Sequence, residues 1–450
     1  MDHNKYVNLW HKGQEDFKKI DHNKNIQNII DNELNNIINF HFNDRKYIKE
    51  YQLKKISELV DYAFVNIPLY KEKYSKVGYE LGSIKSFKDF EQLPFVYKDE
   101  LIDNFPDKVV KNIDDFKYST RSSGSSGKFV TIALDLDAIY IDTVQGIRQF
   151  IWQSENNYKK EDNALCIYTC PWWISKINGF YFQDFLPTTS SVEQVIERLK
   201  ILKPLILTTY PTFLNKICST NIKLSDYGVK YVITHSEQST KSFRNLLGDK
   251  LNVKVYDEYS TEELTRVALE CHKQCYHLEE DACYTEIYNP KTLEKIDNGT
   301  GIVVGTNLLN HATPIIRYWQ GDLVTIDSNS KCECGHNGRI LTSIHGREMD
   351  SFISNGKEIP ASAFMDIAYN WFLTYEIPIV GVKYQIYQES PDKIKVFLQK
   401  GTYELSENEI KTIEESLYEL VDRNIDVEVI FTDKFIQNND KFKCVLRGDF

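Results

Sequence analysis

Long apolar runs are missing from this 450-residue sequence: none approaches the roughly 20 residues that a membrane-spanning helix needs. The first residues, MDHNKYVNLWHKGQEDFKK, are polar and mixed in charge, which is not the pattern of a secretory signal. A basic excess is also missing, because 54 Lys and Arg stand against 65 Asp and Glu. Nucleic-acid binders are normally basic. We therefore expect a cytoplasmic protein with no membrane insertion and no nucleic-acid partner.

Cysteine is sparse as well, with nine residues in the whole chain. In a cytosolic protein these should be reduced thiols or metal ligands, not disulfides. Disorder as the main state is excluded, since 42% of the residues are apolar and 13% are aromatic. A chain of this length is expected to fold as more than one domain.

Strand and helix patterns alternate between about residues 160 and 260. A capping-box pattern at Ser191 and Gln194 predicts the start of one of the helices. Alternation of this kind indicates an α/β fold with a mostly parallel sheet covered by helices, in which ligands bind beyond the carboxyl ends of the strands. The predicted strands are residues 163–170, 204–208, 229–234 and 253–256.

The last hundred residues have a different pattern. Alternating apolar positions around a Ser-Pro-Asp turn at 390–392 predict a hairpin, and Ser406 with Glu409 predicts a capped helix before a final strand at 426–431. This indicates a small α+β domain. We divide the chain into a helical N-terminal extension, a large domain and a small C-terminal domain, at residues 1–60, 61–349 and 350–450.

The segment YSTRSSGSSGK, residues 118–128, is rich in Ser, Thr and Gly and ends in a lysine. Such a loop offers backbone N–H groups, hydroxyls and an ammonium group to a polyphosphate. It is not a Walker A loop, which would need Gly in place of Ser122 and Ser or Thr in place of Phe129. A flexible linker has the same composition, so this segment alone leaves both interpretations open.

Four further segments have polar residues that could bind a nucleotide. Residues 259–263, YSTEE, follow the fourth predicted strand and suit a purine and Mg²⁺, or a simple helix cap. A Gly-Asp turn ends the segment 313–322 and suits ribose hydroxyls, or is an ordinary turn. The other two are GREMD at 346–350 and the basic stretch NDKFKCVLR at 439–447, and lysines near a chain end are usually just solvated.

The order of these five segments resembles the adenylate-forming superfamily, and within it the phenylacetate–CoA ligase and capsule-biosynthesis branch. NIPLY at 66–70 and LPFVYK at 93–98 are also similar to this branch. The resemblance implies that ATP and a carboxylic acid give an acyl-adenylate and pyrophosphate, and that a thiol, most often of coenzyme A, then displaces AMP. It also implies that the small C-terminal domain is mobile.

The resemblance further implies a role for individual residues. Tyr259 would pack on adenine and Asp322 would bind the ribose, while Glu263, or alternatively Glu262, would bind Mg²⁺. The other residues assigned to ATP are Ser122, Ser123, Gly124, Ser125, Ser126, Gly127, Lys128, Glu237, Ser260 and Thr261.

Three residues near the C-terminal domain complete this assignment. Arg347 would lie near the ribose or a phosphate, and Asp350 would be the hinge residue. Lys441 would reach the carboxylate and the α-phosphate, with Lys443 as its rival. The sequence departs from the family where Met349 precedes the hinge residue and where Asp440, not glycine, precedes the lysine; an acid there could pair with Lys441.

Two short clusters of thiols and imidazoles predict a zinc site. One holds Cys271, His272, Cys275 and His277, and the other lies about sixty residues later. Brought together, two such clusters supply four tetrahedral ligands, which leave no open position for catalysis. We predict a structural Zn²⁺ on Cys271, Cys332 and Cys334 with Cys275 or His277, against the alternative of two reduced loops without metal.

The acyl group is the part of the substrate that the sequence defines least. Trp172, Trp173, Tyr210 and His235 lie after predicted strands, and such side chains suit an aromatic or other apolar acid, although aromatics are usually core. The acceptor is expected to be coenzyme A, or else an acyl carrier protein or an amine. An inactive zinc-bearing scaffold is the remaining alternative, and a homodimer is left open.

Overall fold

The computed structural model describes residues 12–13, 15–112, 118–122, 130–169, 172–174, 176–375, 383–401, 405–436 and 442–450. Within these ranges no helix combines the length and the apolar character that crossing a bilayer requires.

An 11-stranded sheet forms the centre of the molecule, in the order β10-β11-β12-β13-β9-β8-β7-β6-β5-β3-β4. The strands from β4 to β7 are parallel, and those from β7 to β10 are antiparallel. Its strands are β3 Asn163–Tyr168, β4 Phe182–Pro187, β5 Ile206–Thr209, β6 Tyr231–His235, β7 Lys254–Thr261, β8 Thr265–Glu270, β9 Tyr276–Leu278, β10 Cys283–Tyr288, β11 Asn298–Asn307, β12 Tyr318–Asp327 and β13 Ile340–Arg347.

Helices cover this sheet, and a small hairpin stands beside it, formed by β1 Ser119–Arg121 and β2 Thr131–Ala133. All residues of β5 and β6 are buried, as expected where helices cover both faces of parallel strands. The helices that precede the C-terminal region are α1 His22–Asn39, α2 Arg45–Asn66, α3 Pro68–Ser75, α4 Phe87–Glu91, α5 Lys98–Asp103, α6 Leu136–Gln153, α7 Val192–Leu202, α8 Pro211–Cys218 and α9 Lys241–Leu251.

The predicted α/β fold is confirmed, and so is the local pattern that positions its helices. Ser191 caps α7 by accepting a hydrogen bond from the backbone N–H of Gln194. Val192, Val195 and Leu199 form the buried face of that helix. The antiparallel half of the sheet was not predicted, because its strands carry no helices between them that would mark them in the sequence.

The N-terminal helices are packed onto the main core. Ile26 and Leu34 of α1 and Ile56 of α2 belong to the same buried cluster as the central sheet. Helix α2 crosses residue 60, so the predicted end of the N-terminal extension lies inside a helix.

A buried ionic cluster also joins this region to the sheet. His41 lies beside the carboxylates of Glu279 and Asp281, which also pair with Arg148, and stacks on His336 with ring centroids 4.3 Å apart. Burial by itself lowers the pKa of His41, but the two carboxylates raise it overall to about 9.

The C-terminal region has its own sheet, in the order β18-β17-β16-β19, and its own buried cluster around Trp371. The predicted hairpin and the helix capped by Ser406 are both present. The turn Glu348–Asp350 separates this region from β13. Its elements are β14 Phe352–Ser354, β15 Lys357–Ile359, α10 Ala361–Tyr375, β16 Tyr384–Ser390, β17 Lys393–Gln399, α11 Glu407–Leu417, β18 Asp426–Thr432 and β19 Val445–Arg447.

Candidate active site

A cavity of about 440 Å³ opens at the carboxyl ends of β5, β6 and β7. Helix α6 lines one side of it, and the segment 442–445 from the C-terminal region lines another. This is where a parallel sheet of this kind binds ligands. The cavity therefore lies between the main sheet and the C-terminal region.

Tyr259, Asp322 and Arg347 form a connected group on one wall of the cavity. The Tyr259 hydroxyl donates to Asp322 Oδ2 at 2.7 Å, and Arg347 Nε lies 3.2 Å from Asp322 Oδ1. Asp322 and Arg347 face each other across β12 and β13. Burial alone would lower the pKa of Arg347, but Asp322 and Glu263 raise it, so the guanidinium stays charged. The structure brings these predicted residues together.

Glu262 and Glu263 lie in the turn between β7 and β8, and both line the cavity. Glu262 accepts hydrogen bonds from the hydroxyls of Thr120 at 2.7 Å and Tyr168 at 3.2 Å. Glu263 is buried, accepts from the hydroxyl of Tyr318 at 3.3 Å, and has a pKa that burial raises above its usual range. Both carboxylates are thus placed to bind a cation, and the choice between them stays open.

The turn that holds these two acids is strained. Thr265, which closes it, has a φ of 59°, a region that β-branched residues rarely occupy. Strain of this kind concentrates at functional sites, where surrounding contacts enforce it. Ser260 lines the same cavity, and Thr261 accepts a hydrogen bond from the Leu264 N–H at 3.0 Å.

Only one of the two predicted lysines lies among the described residues. Lys441 lies outside the described residues. Lys443 lines the cavity, and its Nζ lies 2.6 Å and 2.9 Å from the two carboxylate oxygens of Asp350, the predicted hinge residue. Ser122 also lines the cavity and exchanges hydrogen bonds with Val130, while 123–128 lie outside the described residues.

The predicted acyl-pocket residues are divided by the structure. Trp172 and His235 line the cavity. Trp173 instead donates its indole N–H to the Ser119 carbonyl and packs on Phe17. Tyr210 contacts the His235 ring edge to face, with ring centroids 5.2 Å apart, and is not among the cavity-lining residues. Trp173 and Tyr210 are thus packing residues beside the site in this structure.

Glu237 has a partner that the sequence did not reveal. Its carboxylate accepts hydrogen bonds from the Thr212 hydroxyl at 2.7 Å and from the Thr212 N–H at 3.1 Å. Thr212 is the second residue of α8, where an acidic group is favourable for the helix dipole. Glu237 lines the cavity from this position.

Sequence reasoning missed a polar wall on α6. Asp142 and Gln149 lie on one face of this helix and contact Arg266 of β8. Glu258 of β7 accepts a hydrogen bond from Gln149. We call these four side chains the polar wall; all four line the cavity. The signal was in the sequence, because polar residues at 142, 149 and 153 recur on one side of an otherwise apolar helix.

A separate cluster of side chains, outside the residues that line the cavity, brings together four of the predicted zinc ligands. The ligand atoms of Cys271, His277, Cys332 and Cys334 all lie within 4.8 Å of one another. The sulfurs of Cys271 and Cys332 are 3.6 Å apart, and Cys334 Sγ is 3.3 Å from His277 Nε2. We call these four residues the metal cluster.

The donor set fits zinc. With Zn–S bonds of about 2.3 Å and Zn–N bonds of about 2.0 Å, tetrahedral ligands stand roughly 3.5–3.8 Å apart, close to both observed distances. The Lys273 N–H donates to Cys271 Sγ at 3.3 Å, a contact that stabilises a thiolate. Cys275 is not among the four; its Sγ lies 3.9 Å from the Lys273 carbonyl oxygen. The geometry thus favours His277 over Cys275 as fourth ligand.

Comparison with known proteins finds relatives among phenylacetate-coenzyme A ligases. No model of a known protein family matches the chain. Phenylacetate-coenzyme A ligase of Thermus thermophilus is 21% identical over 402 residues, covering 86% of this chain and 87% of the relative. The ligase of the same name from Pseudomonas putida is 23% identical over 338 residues, covering 69% and 73%. The predicted resemblance to phenylacetate–CoA ligases is thus confirmed by these relatives.

Solved structures of CoA ligases share the fold. 2-Hydroxyisobutyryl-CoA ligase in the postadenylation state, with R3-HIB-AMP, superposes with a TM-score of 0.72 at 16% identity and covers 90% of both chains. The same ligase in the thioesterification state, with 2-HIB-AMP and CoA, gives 0.56 over 89% of both chains. Anthranilate CoA ligase with anthranoyl-AMP gives 0.50 at 13% identity, over 71% of this chain and 65% of that one.

Proposed function

We propose that this chain activates a carboxylic acid with ATP to an acyl-adenylate, releasing pyrophosphate, and then transfers the acyl group to the thiol of coenzyme A. The observation that carries the proposal is the Tyr259–Asp322–Arg347 group beside Glu263 in one cavity. The relatives in sequence and structure are named as acid–CoA ligases, and each of the three solved structures described above contains an acyl-AMP.

Each side chain of this group has a physical task in adenylation. Asp322 offers its carboxylate to the ribose hydroxyls, and Tyr259 both orients that carboxylate and presents a ring for the adenine. The guanidinium of Arg347, held by Asp322, places a fixed positive charge near the ribose and phosphates. When the acid's carboxylate oxygen attacks the α-phosphorus, the P–O bond to pyrophosphate breaks, and negative charge moves onto the leaving oxygens. Positioning and charge stabilisation therefore account for most of the catalysis.

The turn with Glu262 and Glu263 fits Mg²⁺, because carboxylate oxygens are the ligands that this ion prefers. One of the two would hold the ion, which when bound supplies positive charge against the phosphate oxygens. The Ser/Gly-rich loop that begins at Ser122 would bind the β- and γ-phosphates. Lys441, with Lys443 as the alternative, would reach the acid's carboxylate and the α-phosphate.

The metal cluster would hold a structural Zn²⁺ on Cys271, His277, Cys332 and Cys334. With four protein ligands the ion has no open position for water, so its contribution is to fix two loops together. We therefore assign it to stability and not to the reaction.

The C-terminal residues from about 350 would form a mobile domain that rotates between the two half-reactions. The higher TM-score to the postadenylation state than to the thioesterification state supports an arrangement in which Lys443 and Asp350 face the cavity. A cytosolic location belongs to the same proposal. A carrier-protein thiol as acceptor and a homodimer are the alternatives that the comparisons leave untested.

Pyrophosphate release from ATP in a panel of carboxylic acids, with and without coenzyme A, tests the proposal. We expect release with at least one acid and a CoA thioester when coenzyme A is present. Lys441→Ala should reduce adenylation by about 10²–10³-fold, the usual loss of one pre-organised donor. Lys434→Ala, at an exposed lysine, is the matched control. Full activity of Lys441→Ala would move this role to Lys443, and no release from any acid would leave an inactive scaffold.

A further inference from the structure

The cavity is lined in part by the polar wall, and not by apolar side chains alone. Arg266 Nη1 lies 2.5 Å from Asp142 Oδ1, and Arg266 Nε donates to Gln149 Oε1 at 2.8 Å. Gln149 Nε2 in turn donates to Glu258 Oε2 at 2.8 Å. The wall is therefore a hydrogen-bonded chain that runs from α6 to the strand just before Tyr259.

A glycine in helix α6 makes room for the Arg266 side chain in the polar wall. Gly146 lies in the middle of α6, where glycine is unfavourable compared with alanine. A Cβ at this position would lie 2.8 Å from Arg266 Nη2, so any larger residue would push the guanidinium away. The unfavourable glycine is thus explained by the room that Arg266 needs.

Charge is unevenly compensated along the wall. Arg266 is paired with Asp142, and their side chains are 16% and 13% exposed. Glu258 accepts from the neutral amide of Gln149, and within the described ranges no lysine or arginine forms an ion pair with it. Arg266 attracts Glu258 electrostatically but makes its direct ion pair with Asp142, so one guanidinium is shared by two carboxylates. Glu258 lines the cavity with the Gln149 amide as its donor and can accept a further hydrogen bond there.

An apolar acyl group would displace water from the Glu258 carboxylate without donating a hydrogen bond to it. Glu258 is only partly buried at the cavity, and an apolar substrate would bury its carboxylate without a further hydrogen bond, so such a substrate would bind poorly beside this wall. A second carboxylate on the substrate would be repelled by Glu258. A hydroxyl or ammonium group would replace the water and complete the hydrogen-bonded chain.

We propose that the acid activated by this chain carries a hydrogen-bond donor, a hydroxyl or an amino group, that binds Glu258 on the polar wall. This assignment rests on the proposed adenylating function and names the class of its substrate. It changes the expectation of an apolar acid, which was drawn from Trp172 and Trp173; the former lines the cavity and the latter does not.

Matched acids that differ in one group test this proposal by kcat/KM for pyrophosphate release. An aliphatic series is pentanoate, 4-hydroxybutanoate, 4-aminobutanoate and glutarate; an aromatic series is phenylacetate with methyl, hydroxyl, aminomethyl or carboxyl at the para position. We expect the hydroxyl or amino acid of at least one series to exceed its methyl and carboxyl analogues by about 10-fold or more, because a site built for a donor rejects analogues that lack it. The comparison of hydroxyl with amino shows whether the natural donor is charged.

Variants of Glu258 link that preference to the wall. Glu258→Leu should lower the ratio of kcat/KM for the donor-bearing acid to kcat/KM for the methyl acid by about 10-fold or more, with the KM for ATP unchanged. Glu258→Gln keeps the shape of the side chain and a neutral acceptor. It should retain activity with the hydroxyl acid and lose activity with the amino acid of the series. Because this change is conservative, it also serves as a test if the leucine variant misfolds. Gln183→Leu changes a polar residue elsewhere in the same cavity and should leave the ratio unaltered.

Failure of the substrate assignment can be distinguished from failure of the ligase function. A wild-type preference for the methyl acids, or a ratio that Glu258→Leu does not move, overturns the substrate assignment and leaves the ligase function standing. No pyrophosphate from any acid, in either series, overturns the ligase function and the substrate assignment with it.

Discussion

Loss of one ligand from the metal cluster is expected to destabilise the large domain without removing its chemistry. The clearest change is Cys332→Ser, because Cys332 lies in the loop between β12 and β13, far along the chain from its partner Cys271. Serine keeps the size of the side chain but does not provide a thiolate, so the zinc ion should be lost or bound much more weakly.

The size of the effect follows from the length of chain that the metal closes. Residues 277 and 332 are 55 positions apart in the sequence. Treating the ion as a cross-link, the loop-closure relation gives about 4 kcal/mol at 25 °C. An unfolding entropy of about 2.1 cal/mol/K per residue over ~340 residues gives ~0.7 kcal/mol/K. The melting temperature should therefore fall by roughly 6 °C on removal of zinc.

Elemental analysis and calorimetry of the purified protein measure both quantities. We expect one zinc per chain in the wild type, and less than one in Cys332→Ser and His277→Ala. Cys275→Ser is the matched control, because Cys275 lies in the same turn as Cys271 but outside the metal cluster. Its zinc content and melting temperature should equal those of the wild type. Loss of zinc in Cys275→Ser would contradict the choice of His277 as fourth ligand, and wild-type protein with no zinc and free thiols would contradict the zinc site itself.

Three further predictions concern the site and the buried ionic cluster. Glu263→Gln should raise the Mg²⁺ concentration needed for half-maximal adenylation more than Glu262→Gln does; the reverse order would assign the ion to Glu262. Asp350→Pro should slow one half-reaction far more than the other in single-turnover measurements, and equal losses would contradict a hinge there. Because the pKa of His41 is raised to about 9, its stabilising charge is fully present below pH 6.5 and lost as pH rises through 9. The fall in melting temperature over that interval should be smaller in His41→Gln, and an unchanged fall would exclude His41 as its cause.

The parts of the fold that could be predicted are those with local signals. The parallel strands were visible because each is an apolar run between helices, and the helix at Ser191 was marked by its capping box. The proximity of Tyr259 and Asp322 was implied by motif order, and the structure gives it a cause: β7 and β12 belong to one sheet, and the two side chains share a hydrogen bond.

The parts that could not be predicted depend on partners distant in sequence. The polar side chains of α6 have Arg266 as their partner, and this residue lies 117 positions after Gln149 and 124 after Asp142. The choice of His277 over Cys275 depends on the register of β9, where His277 faces Ile340 of β13. Neither pairing can be read from the local sequence. Side-chain direction in a strand alternates with every residue, so the side chain that faces a distant partner depends on how the strands are aligned.

The same register explains how a metal outside the cavity can matter to the nucleotide. Cys271 directly follows β8, which forms a hairpin with β7 and hence with Tyr259. His277 pairs with the start of β13, and β13 ends at Arg347 opposite Asp322. A zinc ion on the metal cluster would therefore fix the two strands that carry the nucleotide-binding side chains in one register. Removal of the ion should raise the KM for ATP more than it lowers kcat, because the strands that position the nucleotide loosen while the reacting groups are unchanged. An unchanged KM in zinc-free, folded protein would confine the metal to stability alone.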